Sequence, residues 1–335
     1  MSNGALKTES RTQKQPERLN DVNWKDNIEK ARSKSSQFRG ISPGENTLVT
    51  QLSFSGGTGS GAIAEMILNG DLPVPEHLVV VSADPGMEDQ RSVDYILQTQ
   101  ERFREVGIRH EIVKTDLYGE FLRAANDKST KRFDNIPFWT KNRETGKRGR
   151  LLQQCTQVYK IAAMKRVTRA YLSEHFGISE KSARIPENAV RCWIGFSSDE
   201  IHRVRVPNEK YIEFQYPLIA IKMTKADIKD YYSMIGRPMP PRSVCNACFA
   251  NGLDYFKDMY YNRPDEWEKA VAVDEAARDL THWGIRDECY VFRGLVPLKD
   301  LPGMQFDLNE YPLFKALGVD IPDDELQCNQ GVCFL

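Results

Sequence analysis

The strongest constraint on this chain lies between Leu48 and Leu68. Leu48, Val49, Leu52 and Phe54 form an apolar run rich in β-formers. It breaks into Ser55-Gly56-Gly57-Thr58-Gly59-Ser60-Gly61 and then into Ile63, Met66 and Ile67 at helical spacing. The pattern reads as strand, glycine-rich turn, helix. Four glycines within six residues let the backbone turn tightly and approach a ligand. The helix start adds unpaired N–H groups and the positive end of a dipole. Ser55 and Ser60 contribute hydroxyls. The loop reads as a phosphate site, and the bland alternative is an ordinary βα turn.

Three phosphate-loop patterns compete. A Walker A loop needs Lys before its last Ser or Thr; here Gly59 precedes Ser60, so that pattern fails. The dinucleotide fingerprint can be laid on Gly57, Gly59 and Ala62, with Asp84 as a ribose acceptor. The third pattern, Ser-Gly-Gly-x-x-Ser, fits Ser55 to Ser60.

The next segments extend the motif. His77 to Asp84 is a continuous apolar strand of the kind buried on both faces of a parallel sheet. Pro85-Gly86 turns the chain, a helix is expected from Glu88 to about Val106, and a strand at Arg109–Val113. This βαβαβ order implies a mainly parallel sheet, with ligands beyond the carboxyl ends of its strands. Ser82 and Asp84 stand there as candidate nucleotide contacts, Asp84 alternatively as a turn residue. A later strand, Val190–Phe196, ends in Ser197-Ser198-Asp199-Glu200-Ile201-His202-Arg203. Asp199, His202 and Arg203 could orient a phosphate, a magnesium ion or a carboxylate, or cap the next helix. Thr224 with Asp227 marks a capped helix start.

Charge bounds the partners. Lys and Arg number 46 against 47 Asp and Glu, for a net charge of −1 over 335 residues, so polyanion binding would have to come from a local patch. One such patch is the 128–150 basic segment. It carries Lys128, Lys131, Arg132, Lys141, Arg143, Lys147, Arg148 and Arg150 interleaved with Phe133, Phe138 and Trp139. That mixture suits nucleic acid; the bland reading is a solvated loop. No apolar run has the length of a membrane span and no signal-peptide pattern is present, so a soluble, cytoplasmic protein without membrane partners is expected. Seven cysteines in such a chain are expected as free thiols or metal ligands. Cys245-x-x-Cys248 has the spacing of a zinc or iron–sulfur site. Cys192 and Cys289 read as core residues, and Cys328 and Cys333 as a candidate fourth ligand or resolving thiol. The expected organisation is a polar N-terminal segment over 1–45, in which Trp24, Ile28 and Ala31 could form a docking helix. A nucleotide-binding α/β domain follows over 46–235 and a cysteine-containing subdomain over 236–335.

Four blocks carry a more specific resemblance: Ser-Gly-Gly-x-x-Ser at 55–60, Cys-Thr-x-x-Tyr-Lys-Ile at 155–161, Ile-Gly-x-Ser-x-Asp-Glu-x-His-Arg at 194–203 and Pro-Pro-x-Ser-x-Cys-x-x-Cys at 240/241–248. In this order they resemble the phosphoadenosine phosphosulfate (PAPS) reductase-like family of the adenine nucleotide alpha-hydrolase, or PP-loop ATP pyrophosphatase, superfamily. The resemblance implies an α/β fold with a mainly parallel sheet and flanking helices, plus a small cysteine-containing helical C-terminal subdomain. It implies an enzyme that binds ATP with Mg²⁺ and cleaves the α–β bond to activate an acceptor for sulfur transfer. Nucleic acid would be a candidate acceptor and phage defence a candidate setting. Ser55, Gly56, Gly57, Thr58, Gly59 and Ser60 would hold the pyrophosphate. Lys160, Asp199 and Arg203 would serve catalysis, and Cys155, Cys245 and Cys248 would hold a [4Fe–4S] cluster, or zinc as the less favoured metal. PAPS reduction or sulfotransfer, with Cys328 or Cys333 as nucleophile, stays open, although the terminal His-containing element of the assimilatory reductases is absent. A non-catalytic nucleotide-sensing subunit working with a partner protein, and a homo-oligomer, also stay open.

Overall fold

The computed structural model describes residues 44, 46–127, 133 and 136–305. The N-terminal segment with Trp24, Lys128, Lys131 and Arg132 of the basic segment, and Cys328 and Cys333 lie outside the described residues.

Five parallel strands form the central sheet: β1 Val49–Ser53, β2 Leu78–Asp84, β3 Arg109–Lys114, β6 Val190–Trp193 and β7 Ile212–Gln215. Their order is β3-β2-β1-β6-β7, which places β1 and its glycine loop at the centre. Every residue of β1 is buried, as a strand covered on both faces requires. Alternation divides the side chains between two layers. Leu52, Val80 and Trp193 face α1 (Thr58–Leu68), α2 (Gln90–Glu105) and α6 (Lys225–Met234), packing on Ile63, Ile67, Phe103, Ile228 and Tyr232. Val49, Val79, Val81, Val190 and Cys192 face α4 (Ala162–Phe176), packing on Met164, Tyr171 and Leu172. The expected mainly parallel α/β architecture is therefore present.

Local signals set most boundaries. Asp89 caps α2 by accepting from Arg91 N–H at 3.0 Å. Thr224 and Asp227 form the expected capping box of α6. Helix α2 begins two residues later than expected because Glu88 is held elsewhere, in an antiparallel bridge with Cys245. Glu65, on the buried face of α1, is bound bidentately by Arg102 at 2.6 and 2.7 Å and paired with Arg237 at 3.2 Å. This ties α1 to α2 and to the exit of α6.

A second core lies beside the sheet. Helices α3 (Leu117–Asn126), α7 (Leu253–Asn262) and α8 (Pro264–Ala277) bury Phe121, Phe256, Trp267 and Val273 with Phe138, Cys289 and Phe292. A three-stranded antiparallel sheet completes it, built from β4 (Trp139–Lys141), β5 (Arg148–Arg150) and β8 (Glu288–Tyr290) in the order β5-β4-β8. The basic segment is thus partly a hairpin. Its turn is fixed by the Asn142 carbonyl side chain, which accepts from Thr145 N–H at 2.9 Å, and by Gly146 at φ +67°. Buried Asp274 accepts from Val291 N–H at 2.7 Å and Leu298 N–H at 3.1 Å and pairs with Arg278, so the strand and the loop after it are fastened to α8. No helix among the described residues is long and apolar enough to cross a membrane. A short helix α5, Pro217–Ala220, closes the connection from β7 to α6.

Candidate functional site

The glycine loop connects β1 to α1 at the carboxyl edge of the sheet. Its two serines brace it from within. The Ser55 N–H donates to Ser60 Oγ at 3.2 Å, and the two hydroxyls lie 3.2 Å apart. Gly56 takes φ +73°, a conformation that only glycine adopts without strain. The N-cap of α1 is Gly57, with no side-chain cap. The first N–H groups of the helix are therefore left to an incoming ligand.

Packing holds position 59 to glycine. A Cβ there would overlap the carbonyl oxygen of Gly195, just after β6, and a Cβ on Gly195 would overlap the backbone of Gly59 and Ser60. The two backbones touch because neither carries a side chain.

Above the loop is a cleft of about 640 Å³. The loop residues Ser55, Gly57, Thr58, Gly59 and Ser60 form its floor, with Phe196, Ser197, Glu200 and Arg203 on one wall. Lys225 and Lys229 of α6, with Arg242, Ser243 and Asp254, complete it. Ser197 and Glu200 form a capping box that fixes the turn after β6. Glu200 pairs with Arg203, whose guanidinium lies 4.2 Å over the Phe196 ring. Phe196 in turn stacks on Tyr216 at 5.7 Å. Arg203 is thus held rigidly at the wall.

The cysteines gather at the junction of the two cores. Cys245 and Cys248 sit on one turn, with Cys248 N–H donating to Cys245 O at 3.1 Å. Cys155 precedes a π-helical turn, Thr156–Ile161, that runs into α4. Cys245 Sγ is 3.5 Å from Glu88 Oε1, which also pairs with Lys160; the second oxygen of Glu88 is buried without a hydrogen-bond partner. Burial pushes the Cys245 thiol well up, helped by the Glu88 carboxylate, and pushes Cys248 up to about 11. Burial likewise raises Cys155, with Lys160 opposing. Burial works against the Lys160 charge, but Cys245 and Glu88 outweigh it and hold Lys160 protonated. Tyr118 is buried against the thiols, and its phenol is raised by burial and by Cys245, Cys248 and Cys155. The three thiols thus act on one another in one pocket. Even so, no three His, Cys, Asp or Glu side chains among the described residues are gathered closely enough to hold a metal ion.

The residues singled out in the sequence fall into three places. Ser55, Gly57, Thr58, Gly59, Ser60 and Arg203 line the cleft. Cys155, Cys245, Cys248 and Lys160 form the thiol pocket, so Lys160 lies by the thiols and is not among the residues lining the cleft. The rest do local work. Gly56 is buried in the turn of the loop. Buried Ser82 donates to Phe54 O at 2.6 Å and contacts His110 Nε2 at 2.8 Å. Asp84 accepts from Gly86 N–H at 2.8 Å, and exposed Asp199 accepts from Lys225 N–H at 3.0 Å. Cys192 and Cys289 are core residues as expected. Sequence reasoning missed Glu88, Tyr118, Lys225, Lys229, Arg242 and Ser243. The last two sit inside the Pro-Pro-x-Ser-x-Cys block, which was read for its cysteines alone; Glu88 and Tyr118 gave no sequence signal.

One strap joins the two places. Arg242 and Ser243 line the cleft, and Ser243 Cβ would be 3.2 Å from a Cβ on Gly57. The next residues are stitched to the turn after β2: Asp89 N–H donates to Val244 O at 3.1 Å and Asn246 N–H to Met87 O at 2.7 Å. Cys245 and Cys248 follow immediately.

No protein-family model and no curated protein matches the sequence. Among solved structures, an NMN synthetase from Francisella tularensis is similar at 13% identity, covering 65% of this chain and 73% of that one at a TM-score of 0.31. The U34-tRNA thiolase NcsA from Methanococcus maripaludis, with its [4Fe-4S] cluster, is similar at 14% identity, covering 75% and 78% at a TM-score of 0.34. An NH3-dependent NAD synthetase from Campylobacter jejuni is similar at 9% identity, covering 79% and 96% at a TM-score of 0.29. Likeness this distant carries no functional assignment, and the chemistry has to be read from this chain's own residues.

Proposed function

We propose that this protein binds ATP in the cleft, cleaves it between the α and β phosphates, and transfers the adenylyl group to an acceptor that then receives sulfur. The uncapped start of α1 on the cleft floor carries this reading. A nucleophile on the acceptor attacks the α-phosphorus and pyrophosphate leaves with the bonding electrons; sulfur at the sulfide level then bonds to the activated acceptor carbon and AMP leaves with the electrons of the broken C–O bond. The N–H groups of Thr58, Gly59 and Ser60 at the start of α1 would receive the leaving pyrophosphate, and Arg203, Lys225 and Lys229, which line the cleft, would neutralise charge on its oxygens. Mg²⁺ would travel with the phosphates, with Asp254 the carboxylate on the opposite rim.

The thiol pocket supplies the second half. Its donor set, three thiols whose charges act on one another, is of the chemical kind that ligates iron–sulfur clusters. A [4Fe–4S] cluster held by Cys155, Cys245 and Cys248 would supply one iron free of protein ligands as a carrier for sulfur. Lys160 serves this pocket, because its charge lies against Cys245 and Glu88 and favours the deprotonated thiols that ligation requires. The strap from Arg242 to Cys248 makes cleft and pocket neighbouring halves of one site.

The test is anaerobically purified protein with α-labelled ATP and Mg²⁺, with and without nucleic acid, water taking the acceptor's place at the α-phosphorus where none is supplied. AMP and pyrophosphate are expected, with release reduced at least about a hundredfold in a Ser55→Ala/Ser60→Ala double variant, the scale of losing oriented phosphate donors. Tight ATP binding without cleavage, with candidate acceptors present, would overturn the enzyme reading in favour of nucleotide sensing. Binding of PAPS but not ATP would favour the reductase reading.

A further inference from the structure

No residue of the β4–β5 hairpin lines the cleft, yet its surface is strongly one-sided in charge. Between Trp139 and Arg150 the sequence carries Lys141, Arg143, Lys147, Arg148 and Arg150 against Glu144 alone, in a chain whose net charge is −1. Arg143 is committed inward, donating to Arg286 O at 2.9 Å and pairing with Asp279 at 3.4 Å. Lys147, Arg148, Gly149 and Arg150 are exposed, and β5 is an edge strand.

The arrangement is built rather than scattered. Arg148 lies 5.4 Å over the Trp139 ring, and Arg150 lies 5.7 Å from the same ring and 5.0 Å from Phe249. Trp139 is fixed in turn, its indole N–H donating to Phe249 O at 2.9 Å. Arg148 and Arg150 are two residues apart on one strand, so they share a face and stand roughly 7 Å from each other. That separation resembles the step between successive phosphates of an extended strand. The rings hold the guanidinium groups in place while leaving them exposed, so they can meet phosphates and also offer flat faces to bases.

The rail leads to the thiol pocket at both ends. β5 is followed within five residues by Cys155, and Phe249, which accepts the Trp139 bond, follows Cys248 directly. We propose that the β4–β5 hairpin is a docking rail for a single-stranded stretch of nucleic acid, which presents a nucleotide to the pocket of Cys155, Cys245 and Cys248. The proposal deepens the reading above by naming the acceptor class, and it rests on that reading for the chemistry alone. Charge complementarity selects a polyanion, and the guanidinium–aromatic stack selects one with flat rings over an acidic peptide.

The experiment needs no ATP, so its outcome is separate from that of the pyrophosphate assay. Binding of a fluorescent 20-nucleotide single-stranded RNA, and of the DNA of the same sequence, is measured by anisotropy across a salt series. The same is done for the Lys147→Gln/Arg148→Gln/Arg150→Gln variant. Wild-type binding is expected, weakened in the variant at least about tenfold at low salt. The slope of log affinity against log salt should fall by about two, since each lost phosphate contact removes roughly 0.7 on a single strand. A Trp139→Leu variant, keeping all the cations, is expected to lose affinity with the salt slope unchanged. Unchanged binding in the triple variant would overturn the proposal, as would tighter binding of a duplex than of the single strand. Equal displacement of the oligonucleotide by polyglutamate would overturn it too, marking a general anion surface. Circular dichroism and an unchanged thermal midpoint establish that the variants are folded.

Discussion

At the residue scale the site turns on a contact between two glycines. Gly59 and Gly195 let the glycine loop settle on the end of β6 with backbone against backbone. This places Thr58, Gly59 and Ser60 beside Phe196 and Ser197 in one cleft. Read alone, Gly59 is one more glycine of a flexible turn; read against Gly195, it is a steric requirement. Gly59→Ala should therefore cost about 1–3 kcal/mol, the scale of overpacking a tight contact, and lower ATP affinity by displacing the loop. Gly195→Ala should do the same, and the double variant should not restore either property, because each Cβ meets backbone and not the other Cβ. Urea unfolding with parallel nucleotide titrations checks this. A Gly59→Ala protein with wild-type stability and affinity would show that the loop can sit elsewhere.

At the scale of elements, the legible parts were those written in local pattern. The strand–loop–helix at 48–68, the buried strand β2 and the capping box of α6 follow from periodicity and capping chemistry, which neighbouring residues decide. The β4–β5 hairpin was harder. Its basic side chains hide the alternation, and β8, which pairs with β4, lies about 150 residues further along the chain. Glu88 was unreadable for the same reason: it looks like the first turn of α2, and only pairing with Cys245 shows otherwise. The π-helical turn Thr156–Ile161 is a third case, since one extra residue per turn leaves no composition signal, yet such turns cluster at functional sites. It sets the rotation of Cys155 relative to α4. Deleting Val158, an exposed residue in that turn, should restore α-helical register and swing Cys155 by about 100° about the axis. The far-UV spectrum should stay unchanged while the iron retained per chain falls. The Cys155 thiol should also react with a disulfide reagent at least about tenfold faster. Unchanged reactivity and iron would mean that the turn does not position the thiol.

At the scale of the molecule, two cores meet along one strap, and its connectivity has a consequence for how nucleotide and thiols communicate. Arg242 and Ser243 touch the cleft, Val244 and Asn246 are hydrogen-bonded to the turn after β2, and Cys245 bridges to Glu88. Glu88 is in turn paired with Lys160 on the π-helical turn that follows Cys155. A ligand that orders Arg242 and Ser243 must also order the next five residues, because main-chain bonds on either side of Cys245 leave the strap no independent hinge. On the proposed function, opening of the thiol pocket is thermodynamically linked to nucleotide binding, and a ligand that favours the closed strap suppresses opening by the ratio of its affinities for the two states. Saturating ATP should slow alkylation of Cys248 in the metal-free protein by about five- to a hundredfold, the range of ordinary coupling free energies. In a Ser55→Ala/Ser60→Ala protein, where the phosphate loop is weakened, that protection should appear only at higher ATP. Mass spectrometry of the 242–251 peptide after timed exposure to N-ethylmaleimide measures both. If ATP saturates the cleft and the alkylation rate does not move, cleft and thiol pocket open independently, and the strap is a tether without coupling.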